Sequence, residues 1–196
     1  MRQAEITRKT AESEIHVNLR LDGAGRAETH TGIGFFDHML QHLARHGLFD
    51  LEVDAKGDLE VDAHHTVEDV GICLGQAFAR ATGEPKGLVR FGHAVVPMDE
   101  ALAEAAVDWS GRPFLAFRCD IPRTRTGGFD TELTEEFFRA FAMNSRCTLH
   151  LLLRHGNNAH HCIEGLFKAF ARALDKALTR DQRVTGVPST KGMLQT

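Results

Sequence analysis

The sequence predicts an α+β protein of two repeated half-domains, each a mostly antiparallel sheet with two helices on one face, packed together. Three matches that occur in the same order carry this expectation. His64-His65-x-x-Glu68 recurs as His160-His161-x-x-Glu164. The helix-like run FFDHMLQHLARHG from Phe35 recurs as LTEEFFRAFAMNS from Leu133. Asp22-x-x-Gly25-Arg26 recurs as Asp108-x-x-Gly111-Arg112. One such match could arise by chance, but three in register mark an internal repeat.

Each repeat reads strand–strand–helix–strand–helix. The helix from Phe35 leads into the strand-like LFDLEV at 48–53, and the helix from Leu133 leads into CTLHLLL at 147–153. Each then reaches a long apolar helical stretch, HHTVEDVGICLGQAFARAT or HHCIEGLFKAFARALDKAL. The second copy carries a longer loop, RTRTGGFDT. Gly and Pro punctuate the chain between Gly83 and Gly87. The expected organisation is therefore one domain made of repeats at about 1–84 and 85–196. Each sheet must bury a face, and packing the two copies together does so economically.

Composition narrows the function. The net charge of −4 carries no concentrated basic surface, so no nucleic-acid partner is expected. No stretch approaches the ~18 apolar residues of a membrane helix, and MRQAEITRKT has no secretory pattern. The four cysteines are scattered without a C-x-x-C pair, which fits free thiols in a reducing cytoplasm. Histidine is the outlier at twelve residues, and their placement points to metal.

Residues advance ~100° around a helix, so Glu68 projects between His64 and His65, whose rings diverge. Adjacent histidines pointing apart are suited to two ions rather than one. Aligning the preceding helices on their apolar positions sets His38 against Glu136, and both are metal-competent. The proposed ligands are His38, His64, His65, Glu68, Glu136, His160, His161 and Glu164. Four per ion leaves positions open for substrate or water. Imidazole with carboxylate suits zinc, iron or manganese, and the absence of thiolates argues against structural zinc. Asp62 and Asp69 flank the first element and are expected to orient its imidazoles.

Arg90, Arg112 and Lys191 stand outside the long helices or on exposed turns, with Ser189 and Thr190 as hydroxyl donors nearby. Arginine offers a planar fork to phosphate oxygens and lysine a point charge. Lys168 lies four residues after Glu164, on the same helix face. These residues are candidates for an anion site.

Together FFDHML, DAHHTVED, RFG, SGRPF, HHCIEGLFKAFARAL and PSTKG resemble the imidazoleglycerol-phosphate dehydratase family of histidine biosynthesis, over nearly the whole chain. The resemblance implies two Mn2+ per active site at the eight positions above, and active sites formed between subunits of a 24-subunit homo-oligomer built from trimers. The implied reaction is dehydration of D-erythro-imidazole glycerol phosphate to imidazole acetol phosphate. In the chemistry the resemblance implies, a cation on the imidazole would favour its anionic form, which would let the neighbouring hydroxyl leave and the next C–H become acidic. The resemblance makes Glu12 the candidate acid/base carboxylate, with Glu164 second, and assigns Arg90, Arg112, Lys168, Ser189 and Lys191 to the substrate.

Three positions depart from the family pattern. Gly34 stands where proline is usual. Glu136 replaces a common histidine and adds negative charge to one ion's site. His42 replaces a common glutamine expected near the phosphate, and a histidine there is expected to titrate near neutral pH. A dimetal hydrolase and a metal store or sensor are the competing readings. The anion-binding residues argue against a store.

Overall fold

The computed structural model describes residues 1–192 and Leu194. The first half runs β1 (Gln3–Lys9), β2 (Ser13–Arg20), β3 (Ala27–His30), α1 (Gly34–Gly47), β4 (Asp50–Gly57) and α2 (His64–Thr82). The second runs β5 (Phe91–Met98), β6 (Ala101–Asp108), β7 (Phe114–Arg118), β8 (Arg125–Thr126), β9 (Phe129–Asp130), α3 (Leu133–Ser145), β10 (Thr148–His155) and α4 (Ala159–Leu178). The two large sheets have orders β1-β2-β4-β3 and β5-β6-β10-β7, one connection pattern used twice. In each, two pairings are antiparallel and the last, β3 with β4 or β7 with β10, is parallel. Gly25 and Gly111, from the matched Asp-x-x-Gly-Arg turns, both lie in the left-handed region, at φ 77° and 78°.

Alternation along the strands decides which face is covered. Ile15, Val17 and Leu19 on β2 and Leu51 and Val53 on β4 point inward and are buried, as are Ala103, Ala105, Leu149 and Leu151 in the second sheet. Helix α2 lies on β1 and β2, and α4 lies on β5 and β6. The helices then pack across the halves, α2 against α3 and α1 against α4. The core is thus a helical layer between two sheets, filled by Phe36, Phe78, Phe137, Phe138, Phe141, Phe167 and Phe170. Each such side chain contributes about 1.5–3 kcal/mol when buried. The α2–α3 contact is close because α2 carries glycine there. A Cβ at Gly71 would meet the Phe137 carbonyl oxygen at 2.8 Å, and one at Gly75 would meet that of Phe141 at 2.7 Å.

Several expectations need amending. Each half has a third strand before its first helix, so the shared order is strand–strand–strand–helix–strand–helix, to which the second half adds β8 and β9 ahead of α3. β3 is only AETH, with Thr29 alone buried, so it shows no apolar alternation. Leu48 and Phe49 precede β4: Leu48 takes a left-handed φ of 57° and ends α1. The RTRTGGFDT segment forms the small β8–β9 hairpin rather than an open loop.

The outward faces of the two sheets differ. β2 presents Glu14, His16, Asn18 and Arg20, whereas the second sheet presents Phe91, Val95 and Phe114, each more than half exposed. Among the described residues, no helix is long and apolar enough to cross a membrane.

Candidate metal and catalytic site

Helix α4 begins where it does because Asn158 caps it. The Asn158 side chain accepts from the backbone N–H groups of His160 at 2.9 Å and His161 at 3.5 Å. Both histidines therefore sit in the first turn, with ring centroids 6.1 Å apart and planes at 82°. One turn along, His160 Nε2 lies 3.0 Å from Glu164 Oε2. Helix α1 brings its own histidines to the same oxygen, His38 Nε2 at 3.4 Å and His42 Nε2 at 3.3 Å. Lys168 Nζ donates to the other oxygen, Oε1, at 2.5 Å. The edge of Phe35 packs on the His160 ring with centroids 5.1 Å apart.

His38, His160 and Glu164 each offer one ligand atom, all within 4.8 Å of one another, the one such group among the described residues. Metal–nitrogen and metal–oxygen bonds of ~2.0–2.2 Å make this spacing suitable for a shared ion. Two imidazole nitrogens and a carboxylate oxygen fit a divalent first-row cation. Burial opposes the charge on Glu164, but Lys168 and the imidazoles of His42 and His160 outweigh it and hold the carboxyl at about 2. Glu164 is thus ionised and suited to ligation rather than to proton donation at neutral pH. Burial also pushes the His42 imidazole down to about 4, against the pull of Glu164. Burial therefore works against the expected titration of His42 near neutral pH.

The second histidine of each pair turns to a carboxylate outside the helices. His161 Nδ1 lies 2.7 Å from Glu100 Oε2, and His65 Nδ1 lies 3.0 Å from Asp58 Oδ2. These hydrogen bonds raise both imidazoles above their ordinary pKa. Helical spacing could not reveal Asp58 or Glu100, because both stand in turns. The expected orienting residues do other work. Asp69 is buried, with Oδ1 accepting from Arg8 Nε at 2.7 Å and Oδ2 from the Ser13 hydroxyl. Asp62 accepts the His64 backbone N–H at 2.7 Å. Glu12, in the β1–β2 turn, is exposed and its Oε2 lies 3.8 Å from His65 Nδ1. Glu68 and Glu136 are half-buried on the packed helices α2 and α3, but the chain does not gather them with His64 as it gathers His38, His160 and Glu164.

The basic residues divide into two places. Arg90 Nε and Nη2 donate to the Asp108 carboxylate at 2.7 and 3.1 Å, and Arg112 Nη2 donates to Asp108 Oδ2 at 3.1 Å. Arg90 Nη1 holds the Pro188 carbonyl oxygen at 2.7 Å, which brings Ser189 and Lys191 alongside. The backbone N–H of Arg90 donates to the Ala177 oxygen, so this cluster sits at the C-terminal end of α4. At 1.5 Å per residue, Glu164 and Ala177 are separated by ~20 Å along the helix. His42 and Lys168 stand beside the ligand group instead. A small phosphorylated molecule cannot touch both places within one chain.

Comparison with known proteins agrees with the motif reading. The family model for imidazoleglycerol-phosphate dehydratase matches residues 31–174. The Symbiobacterium thermophilum imidazoleglycerol-phosphate dehydratase is 62% identical over 193 residues, spanning 98% of this chain and 93% of its own. The Gluconobacter oxydans protein of the same name is 59% identical, spanning 98% of each. Among solved structures, the Staphylococcus aureus imidazoleglycerol-phosphate dehydratase superposes with a TM-score of 0.83 at 41% identity, covering 91% of this chain and 99% of its own. A Pyrococcus furiosus structure in complex with (S)-C348 also gives 0.83, at 35% identity, covering 96% and 100%. The chain belongs to the imidazoleglycerol-phosphate dehydratase family and is a hydro-lyase of histidine biosynthesis.

Proposed function

We propose that this hydro-lyase converts D-erythro-imidazole glycerol phosphate to imidazole acetol phosphate, with two Mn2+ per active site and with each site completed between copies of the chain. The observation that carries the reading is the convergence of His38, His160 and Glu164 from helices of both halves. His64, His65, Glu68, Glu136 and His161 supply the remaining ligand atoms once copies assemble. When bound, the cations serve as Lewis acids toward the imidazole ring of the substrate.

The chain's own residues do the rest. The hydroxyl on the carbon attached to the ring leaves as water, the neighbouring carbon gives up its proton, and the resulting enol becomes the ketone. Glu12, exposed and 3.8 Å from His65, is the carboxylate that carries the proton. Glu164 keeps its charge and acts as a ligand. Arg90, Arg112, Ser189 and Lys191 hold the phosphate, while Lys168 and His42 hold the substrate's polar groups beside the ring.

The ~20 Å between the ligand group and the arginine cluster supports sites shared between chains. The apolar outward residues Phe91, Val95 and Phe114 support a homo-oligomer, for which the family resemblance implies 24 subunits built from trimers. The four unpaired cysteines fit a cytoplasmic location. The test is incubation of the manganese-loaded protein with imidazole glycerol phosphate. The expected result is ketone product without phosphate release. No turnover, or inorganic phosphate in place of the ketone, overturns the proposal.

A further inference from the structure

We infer that Glu100 and Asp58 are positioning residues that aim His161 and His65 at the cations, and that Asp58's occupation of His65 is what leaves Glu12 free to carry protons. The inference rests on the two-cation reading above. A ligating imidazole is held in one tautomer and one orientation when its other ring nitrogen donates to a carboxylate. Both carboxylates meet that requirement at Nδ1, at 2.7 Å for Glu100 and 3.0 Å for Asp58, which leaves Nε2 as the ligating atom.

The two carboxylates come from different places in the repeat. Glu100 stands in the β5–β6 turn, where Met98 pairs with Ala101. The matching β1–β2 turn, closed by Lys9 opposite Glu14, contains Glu12. Repetition alone would therefore set Glu12 on His65 as Glu100 is set on His161. Instead Asp58 reaches His65 first, from the chain just after β4. The other Asp58 oxygen, Oδ1, is buried without a partner among the described residues, so His65 is the sole group its carboxylate holds. Glu100 is fixed further. Its Oε1 accepts the backbone N–H groups of Asn157 at 3.2 Å and Asn158 at 2.8 Å, tying the β5–β6 turn to the start of α4. Glu12 has no such anchor, and its side chain is 57% exposed. One carboxylate of the matched pair is locked to an imidazole and the other is loose beside one.

The test compares Glu100→Gln, Asp58→Asn and Glu12→Gln in the full-length protein. Manganese affinity is read by titration calorimetry, and histidine tautomers by 15N shifts in the metal-free protein. Glutamine keeps an oxygen for the Asn157 and Asn158 N–H groups, so α4 retains its start. Glu100→Gln and Asp58→Asn are each expected to weaken Mn2+ binding about 10- to 100-fold and to lower the Nδ1–H population of one histidine. Glu100→Asp is expected to recover part of the loss. Glu12→Gln is expected to keep Mn2+ affinity within about threefold while kcat falls by about 100-fold or more. Wild-type manganese affinity in Glu100→Gln overturns the inference. So does weakened affinity with an unchanged tautomer, or a loss in Glu12→Gln as large as in the other two. Affinity and tautomer are read without turnover, so they stand apart from failure of the proposed reaction.

Discussion

The two His-His-x-x-Glu elements share one spacing and one helical context but close differently. On the α1–α4 side, Glu164 is surrounded by His38, His42, His160 and Lys168. On the α2–α3 side, the matching positions hold Glu136 for His38, Ala140 for His42 and Ile72 for Lys168. The first set balances its own charge, because one carboxylate faces imidazoles and an ammonium. On the second side, Glu68 and Glu136 stand on α2 and α3 without an ammonium at the Lys168 position, and the chain does not gather them with His64. A duplicated motif has thus gathered its ligand-competent atoms on one side and not on the other within the chain.

The most direct way to break this comparison is to remove one histidine from each side. His160→Ala and His64→Ala are each expected to cost about 10³-fold or more in kcat/KM, or ~4 kcal/mol, since the proposed reaction uses both ions. Elemental analysis of each purified variant is expected to find roughly half the wild-type manganese. Only His160→Ala should also alter acid unfolding of the metal-free protein, because only His160 holds a buried carboxylate there. Unchanged metal content in either variant removes that residue from the ligand set. Glu136→His then sharpens the contrast by giving the α2–α3 side the residue its counterpart has. It is expected to move metal preference from manganese toward zinc by about tenfold, since imidazole favours the softer ion. Competitive binding of the two metals measures it.

How much of this was legible beforehand follows from where the information lies. The paired helices and the candidate grouping of His38, His160 and Glu164 were readable because helical period and repeat register both act over short stretches of sequence. Asp58 and Glu100 were not, since turn residues obey no period and Glu100 meets His161 only after β5, β6 and α4 have packed. β3 escaped notice because AETH has no apolar alternation to show. The depressed titration of His42 came from burial between α1 and α4, which composition cannot express. The ~20 Å between Arg90 and the ligand group is likewise a consequence of tertiary packing.

Lys168→Met tests the charge balance on the formed side. Glu164 has a folded pKa of about 2 against an ordinary 4.5. Its contribution is therefore fully present above about 4.5 and is lost as pH falls toward 2. Removing the ammonium should raise the folded pKa and cost on the order of 2 kcal/mol at pH 7, with less difference from wild type at pH 3. Urea unfolding of the metal-free protein at the two pH values measures this. An equal loss at both would mean that Lys168 acts through packing alone.

The smallest expected effect concerns His42: its linkage to pH runs the same way as that of Glu164, but here the substitution stabilises the protein. The folded pKa of His42 is about 4, below the ordinary 6.5, so between those values the unfolded chain binds the extra proton. The metal-free protein should therefore lose stability as pH falls from 6.5 toward 4, with no contribution from this residue above that window. His42→Gln removes the titrating group and should recover about 1 kcal/mol at pH 5 relative to pH 7.5, read by urea unfolding. The matching helix position on the other side is Ala140, which cannot titrate, so a pH-dependent gain would belong to the α1–α4 side alone. If His42→Gln leaves the slope between pH 5 and 7.5 unchanged, the buried neutral imidazole is not what sets it. The asymmetry between the two sides would then rest on the single carboxylate, Glu164, rather than on the histidines around it.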